Sequence, residues 1–90
     1  MYERLEATVS GKVQGVFFRE HVRRSAKNLN LAGEVENMPD TTVRVVAEGP
    51  RELLEKLLKQ IQIGSIQSEV RNVEFEWYPI TYEFKKFDIL

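Results

Sequence analysis

Nine residues, Gly11-Lys12-Val13-Gln14-Gly15-Val16-Phe17-Phe18-Arg19, carry the residue types and the spacing that a phosphate site requires. Two glycines let the backbone turn tightly, so that successive N–H groups can face one concavity. The helix expected to follow aims its positive dipole end and its uncommitted amides at the same spot. Arg19, at that helix start, adds a planar, permanently charged donor fork that matches two phosphoryl oxygens. The loop concerned is Gln14, Gly15, Val16, Phe17, Phe18 and Arg19. It is not the nucleotide loop G-x-x-x-x-G-K-[ST], since Gly11-Lys12 stands at the wrong end, and G-x-G-x-x-G is absent. On spacing alone, a glycine loop carrying a solvated arginine is the open alternative.

Little else in the chain offers chemistry. Among 90 residues there is no cysteine, which removes thiol nucleophiles, disulfides and thiolate metal sites together. His21, the single histidine, has no second histidine or carboxylate at ligand spacing, so neither a metal nor a cofactor is expected. It reads as an ordinary residue of the first helical turn. Phe17 and Phe18 read as core, one of them with the alternative of flooring the pocket. Trp77, Tyr78, Tyr82, Phe84 and Phe87 read as core or sheet-face residues, and Lys12 and Lys85-Lys86 as solvated.

A net charge of −1 provides no general basic field, so nucleic acid and acidic membranes are not the expected partners. Met1 to Glu6 lacks the apolar run of a signal peptide, and no stretch approaches the roughly 18 apolar residues of a membrane helix. A cytoplasmic monomer acting on a small molecule is the expectation.

The elements that must position the loop follow from periodicity. Leu5 to Ser10 alternates with period two, as do Val43, Val45 and Ala47 against Arg44, Val46 and Glu48, and Val73, Phe75 and Trp77 against Glu74 and Glu76. Pro79 closes the last of these. Val35 lies in a strand before the turn Asn37-Met38-Pro39-Asp40-Thr41. A first helix from Arg19 or Glu20 to Leu29 buries Phe18, Val22, Ala26 and Leu29, with Asn30 left-handed at its end and Leu31 folding back. A second starts at Gly49-Pro50, buries Leu53, Leu54, Leu57, Leu58 and Ile61, and stops at Gly64. Tyr82 to Ile89 supplies a short final strand. The order is βαββαβ plus that strand: one α+β domain, 1–90, with a ferredoxin-like split βαβ topology and two helices on one face of an antiparallel sheet.

Val9 to Arg19 closely resembles the signature of the acylphosphatase family, G-x-V-Q-G-V-x-F-R. A second family block, G-x-V-x-N followed by a turn and an E-G pair, is similar to Gly33-Glu34-Val35-Glu36-Asn37 and Glu48-Gly49. The resemblance extends over nearly the whole chain. It implies hydrolysis of small acyl phosphates to carboxylate and inorganic phosphate by direct water attack, without a cofactor and with phosphate as product and inhibitor. Carried over by position, Arg19 binds the phosphate with the loop amides and Asn37 orients the attacking water.

Two positions depart from the family pattern. Glu34 stands where an aromatic residue is frequent, and Thr41 where the turn usually has glycine. Pro39 fixes its own φ near about −65° and is expected to reset the turn, leaving Thr41 in an ordinary β or α conformation. Two other functions share the topology. One is a non-catalytic phosphate- or carbamoyl-phosphate-binding or regulatory domain. The other is an RNA-binding sheet, whose aromatic strand motif and basic face are missing.

Overall fold

Leu5, Ala7 and Val9 leave one side of the first strand and Arg4, Glu6 and Thr8 the other, and this sorting fixes which face must be covered. In the computed structural model, which describes residues 1–90, the elements are β1 (Tyr2–Lys12), α1 (Phe18–Asn28), β2 (Ala32–Asn37), β3 (Val43–Pro50), α2 (Arg51–Ile63), β4 (Glu69–Pro79) and β5 (Phe87–Ile89). The sheet order is β4-β1-β3-β2-β5. Phe18, Val22 and Ala26 of α1 and Leu54, Leu57, Leu58 and Ile61 of α2 close over Leu5, Ala7, Val9, Val35, Val43, Val45 and Ala47 in one core. The ferredoxin-like fold read from the sequence is the fold observed.

The helix ends follow their local signals. Asn30 adopts φ 56°, and the Leu31 amide donates back to the Ala26 carbonyl at 2.9 Å, so the chain folds under α1 as expected. Pro50 precedes α2, and Gly64 at φ 78° stops it. His21 joins the helices, with Nε2 3.0 Å from the Gln60 main-chain oxygen. α1 begins at Phe18, one residue before its expected start.

The sheet departs from the antiparallel expectation at its last strand. β5 pairs with β2 in parallel, Gly33 opposite Phe87 and Val35 opposite Ile89. The reason is topological: β4 ends at Pro79 on one edge, residues 80–86 cross the end of the sheet, and the chain enters the opposite edge beside the start of β2, running the same way. The sheet is therefore mixed.

That crossing segment changes the fate of Glu48. The alternation on β3 assigns it to the open face, yet it is buried. Its carboxylate accepts bonds from the Thr81 hydroxyl at 2.7 Å, the Thr81 amide at 3.0 Å, the Tyr82 amide at 2.9 Å and Arg4 Nη1 at 3.1 Å. Arg4 also reaches Glu6 and Glu83 and lies over the Phe84 ring. Tyr82, expected in the core or on the sheet face, is exposed with φ 60°, because its amide is turned toward Glu48. Trp77 is half-buried beneath the Arg51 guanidinium at 3.7 Å, and Phe87 is in the core.

Burial pushes the Glu48 carboxyl up, but the bonds from Thr81, Arg4 and Tyr82 outweigh it and hold the group below the ordinary glutamate value of 4.5. The folded form therefore binds this proton more weakly than the unfolded chain. The stabilisation is complete above the ordinary carboxylate range and is lost as pH falls through the lowered folded value. Glu48→Gln retains one acceptor oxygen and no charge, and Arg4 keeps its other two carboxylates. We expect a loss of about 2–3 kcal/mol at pH 7, shrinking toward pH 3, in denaturant melts at several pH values. A loss independent of pH would show that the carboxylate's charge contributes nothing.

Candidate active site

All the loops that carry the sequence-selected residues lie at one end of the sheet, where β1 and β2 finish. β1 bends into its loop through a bulge between Ser10 and Gly11. Gly11, at φ 124°, passes so close to β4 that an added Cβ would stand 2.1 Å from the Glu69 carbonyl oxygen. The chain then turns through Gly15 at φ 71°, where space is open and only the backbone conformation demands glycine.

Phe17 comes next, with φ 60° and ψ 22°, and stands as the N-cap of α1 without a side-chain cap. No acceptor of the chain takes the amides of Gly15, Val16 or Phe17, and the first helical bond runs from His21 to the Phe17 carbonyl. A row of unpaired amides thus leads directly into the uncapped, positive end of a helix. The Ser65 hydroxyl donates to the Val16 carbonyl at 2.8 Å and fixes the back of the loop. The two phenylalanines separate: Phe18 is 1% exposed and Phe17 76%. The reading of both as core therefore fails for Phe17, which stands outside the helix it opens, on a left-handed backbone.

Arg19 lies in the first turn of α1, and its Nη1 donates to the main-chain oxygen of Leu90 at 2.8 Å. Leu90 is itself tied to β2 by its amide, 2.9 Å from the Val35 carbonyl. Arg19 also lines a cavity of about 270 Å³ together with Val13, Gly15, Phe17, Phe18, Glu20 and Ile89.

Asn37, the last residue of β2, shares the face of Gly33 and Val35, so its side chain is directed to the helix side at the same end of the sheet. Its Oδ1 is buried and receives no hydrogen bond from the chain. A buried acceptor without a donor is costly and uncommon in folded proteins.

The sequence reading missed what joins these parts. The Gln14 side chain directs Nε2 to two carbonyl oxygens of the turn after Asn37, Met38 at 3.0 Å and Thr42 at 2.9 Å. Gln14 was assigned to the loop for its amide, but its side chain is a strut that sets the β2–β3 turn against the loop. A glutamine between two turn-forming segments was the available signal, because its neutral carboxamide nitrogen can donate to two carbonyl oxygens at once.

The turn is closed further by Met38 N to Thr42 O at 2.8 Å and Thr41 N to Met38 O at 3.1 Å, while Asp40 Oδ1 accepts from the Thr42 hydroxyl at 2.6 Å and amide at 3.1 Å. Within it Thr41 has φ 75°, so the expectation of an ordinary conformation was wrong. Pro39 does not reset the turn. The bonds on both sides of Thr41 hold the glycine-type geometry, and a β-branched residue occupies it at roughly 1–3 kcal/mol of strain. Thr41→Gly relieves that strain at a smaller unfolded-state entropy cost. Stability is expected to rise by about 1 kcal/mol, seen as a higher denaturant midpoint at unchanged slope.

The chain matches the sequence profile described as Acylphosphatase over residues 5–89. It is 45% identical over 86 residues to the acylphosphatase of Pelotomaculum thermopropionicum, covering 96% of this chain and 94% of that one. It superposes on the crystal structure of acylphosphatase from Bacillus subtilis with a TM-score of 0.94 at 32% identity, covering 100% of this chain and 99% of the other. An acylphosphatase from Coxiella burnetii gives 0.92 at 38% identity over 99% and 93%. The loop, its arginine and the matching extent of sequence and fold agree: the chain belongs to the acylphosphatase family.

Proposed function

We propose that the chain hydrolyses small acyl phosphates to a carboxylate and inorganic phosphate by direct attack of water, with Arg19 and the amides of the Gln14–Arg19 loop on the phosphoryl group and Asn37 on the water. This reading is supported by an uncommitted amide row beside Arg19 and, at the same end of the sheet, the buried, undonated Oδ1 of Asn37, which does not itself line the cavity beside Arg19. One is a receptor for an oxyanion and the other a receptor for a proton donor.

Acyl phosphates need few groups. The leaving carboxylate has a conjugate acid of pKa about 4, so it departs at pH 7 without a general acid. The water oxygen bonds to phosphorus, the bridging P–O bond breaks, and its electron pair leaves with the carboxylate. The water proton passes to a phosphoryl oxygen or to solvent. A loose phosphoryl-transfer transition state asks for positioned positive charge and an aligned nucleophile. Arg19 and the amides of Gly15, Val16 and Phe17 supply the first. Asn37 supplies the second, its carbonyl accepting from the water and its amide donating to a phosphoryl oxygen. Each such preorganised donor is worth roughly 3–4 kcal/mol by analogy with oxyanion holes. His21 bonds across to α2, and no serine–histidine or cysteine–histidine pair offers a covalent route.

Purified chain is expected to hydrolyse benzoyl phosphate at full rate in excess EDTA, with inorganic phosphate as a competitive inhibitor. A rate abolished by chelation and restored by a divalent metal overturns the mechanism.

A further inference from the structure

Phe17 is a large aromatic residue in the wrong place twice over. Its ring is 76% exposed, and its backbone sits at φ 60°, a region that bulky side chains adopt reluctantly. An exposed hydrophobic residue alone is ordinary. Here the exposed ring is held at the mouth of a cavity, and the residue bearing it contributes an amide to the phosphate row.

The ring is a shared wall. On one side lies the cavity beside Arg19, whose other apolar surfaces are Val13, Phe18 and Ile89. On the other lies a broader groove of about 540 Å³ between α1 and the α2–β4 connection, where Val16 and the fully exposed Ile66 continue the apolar surface. Phe17 lines the same cavity as Arg19, so the acyl group of a phosphate bound at Arg19, one bridging oxygen from phosphorus, has this ring among its nearest apolar surfaces.

The cavity offers no cation besides Arg19 to a second acidic group on the substrate. At its rim stands Glu20, whose carboxylate is held by Arg23 at 2.6 Å and stays ionised, the hydrogen bond from Arg23 keeping it below the ordinary range. An acyl group carrying its own carboxylate would find no free cation in this wall beyond the arginine already assigned to the phosphate, because Arg23 is committed to Glu20.

We propose that Phe17 sets the acyl-group preference of the site, its ring serving as an apolar platform that selects aromatic and other apolar acyl phosphates over acetyl phosphate and over acyl phosphates bearing a second carboxylate. This rests on the acyl-phosphate reading above and adds the substrate class to it. An offset or edge-on aromatic contact contributes enough to shift relative rates by up to about tenfold.

The test compares kcat/KM for benzoyl, acetyl and succinyl phosphate in the wild-type chain, in Phe17→Asn, which tolerates the left-handed backbone but lacks the ring, and in Phe17→Tyr, which keeps a ring. The wild type should favour benzoyl over acetyl phosphate, and acetyl over succinyl. Phe17→Asn should lower the benzoyl-to-acetyl ratio about tenfold, mainly through KM for benzoyl phosphate, and Phe17→Tyr should preserve it. A ratio unchanged in Phe17→Asn overturns the proposal while leaving acyl-phosphate hydrolysis intact. Equal losses on all three substrates, with phosphate inhibition weakened to match, also overturn it, because the ring would then act only through the shape of the loop. A wild-type chain that turns over none of the three overturns the hydrolytic reading itself.

Discussion

Arg19→Lys should lower kcat/KM for an acyl phosphate by at least about 100-fold with folding almost unchanged. Nη1 already holds the Leu90 main-chain oxygen at 2.8 Å, the remaining donors of the fork have no partner in the chain, and Arg19 lines the cavity. In the proposed mechanism one guanidinium therefore serves the scaffold and the phosphate together. An ammonium has the same charge but no plane. If it reaches Leu90 it faces the phosphoryl oxygens with one point of contact, and if it reaches the phosphate it loses the tether. The folding cost is small because Arg19 is only half-buried and pairs with no carboxylate side chain. The measurement is steady-state kinetics beside a denaturant melt of the same preparation. Kinetics like those of the wild type would make Arg19 a surface residue.

Asn37→Ala should separate the two halves of the chemistry. If Asn37 aligns water, removing its carboxamide lowers kcat by about 100-fold or more while the inhibition constant of inorganic phosphate stays near its wild-type value. The same substitution should not destabilise the fold. Oδ1 is buried without a donor, so its removal relieves a desolvation penalty, and stability is expected to rise by about 1 kcal/mol. A more stable and far slower protein is the signature of a polar group kept for catalysis. Phosphate inhibition weakened as much as kcat would place Asn37 on the phosphate instead.

The parts of this molecule legible in the sequence are those whose cause is local. The stripe from Leu54 to Ile61, the alternation of Leu5, Ala7 and Val9, the left-handed Asn30 and the stop at Gly64 each depend on neighbours within a few residues, and each is observed. The loop from Gly11 to Arg19 was legible for the same reason, since glycine and a helix start act where they stand. The features that escaped are imposed from a distance. Thr41 is held at positive φ in a turn that Gln14 grips from 24 and 28 residues away. Glu48 obeys the β3 alternation and is buried because Thr81, 33 residues later, closes over it. The parallel pairing of β5 depends on which edge is free once four strands have assembled. Phe17 failed differently: its composition suggested core, and its backbone, set by the loop, overruled that.

β5 has three paired residues on an outer edge, yet the Leu90 that follows it supplies the main-chain oxygen that steadies Arg19. An edge this short opens far more often than the strands between β4 and β2, by local fluctuations that leave the core closed. Each opening releases the arginine while the rest of the domain remains native. If Arg19 binds the phosphate as proposed, the working state is less durable than the folded state, and rising temperature or mild denaturant should silence the enzyme before it unfolds it.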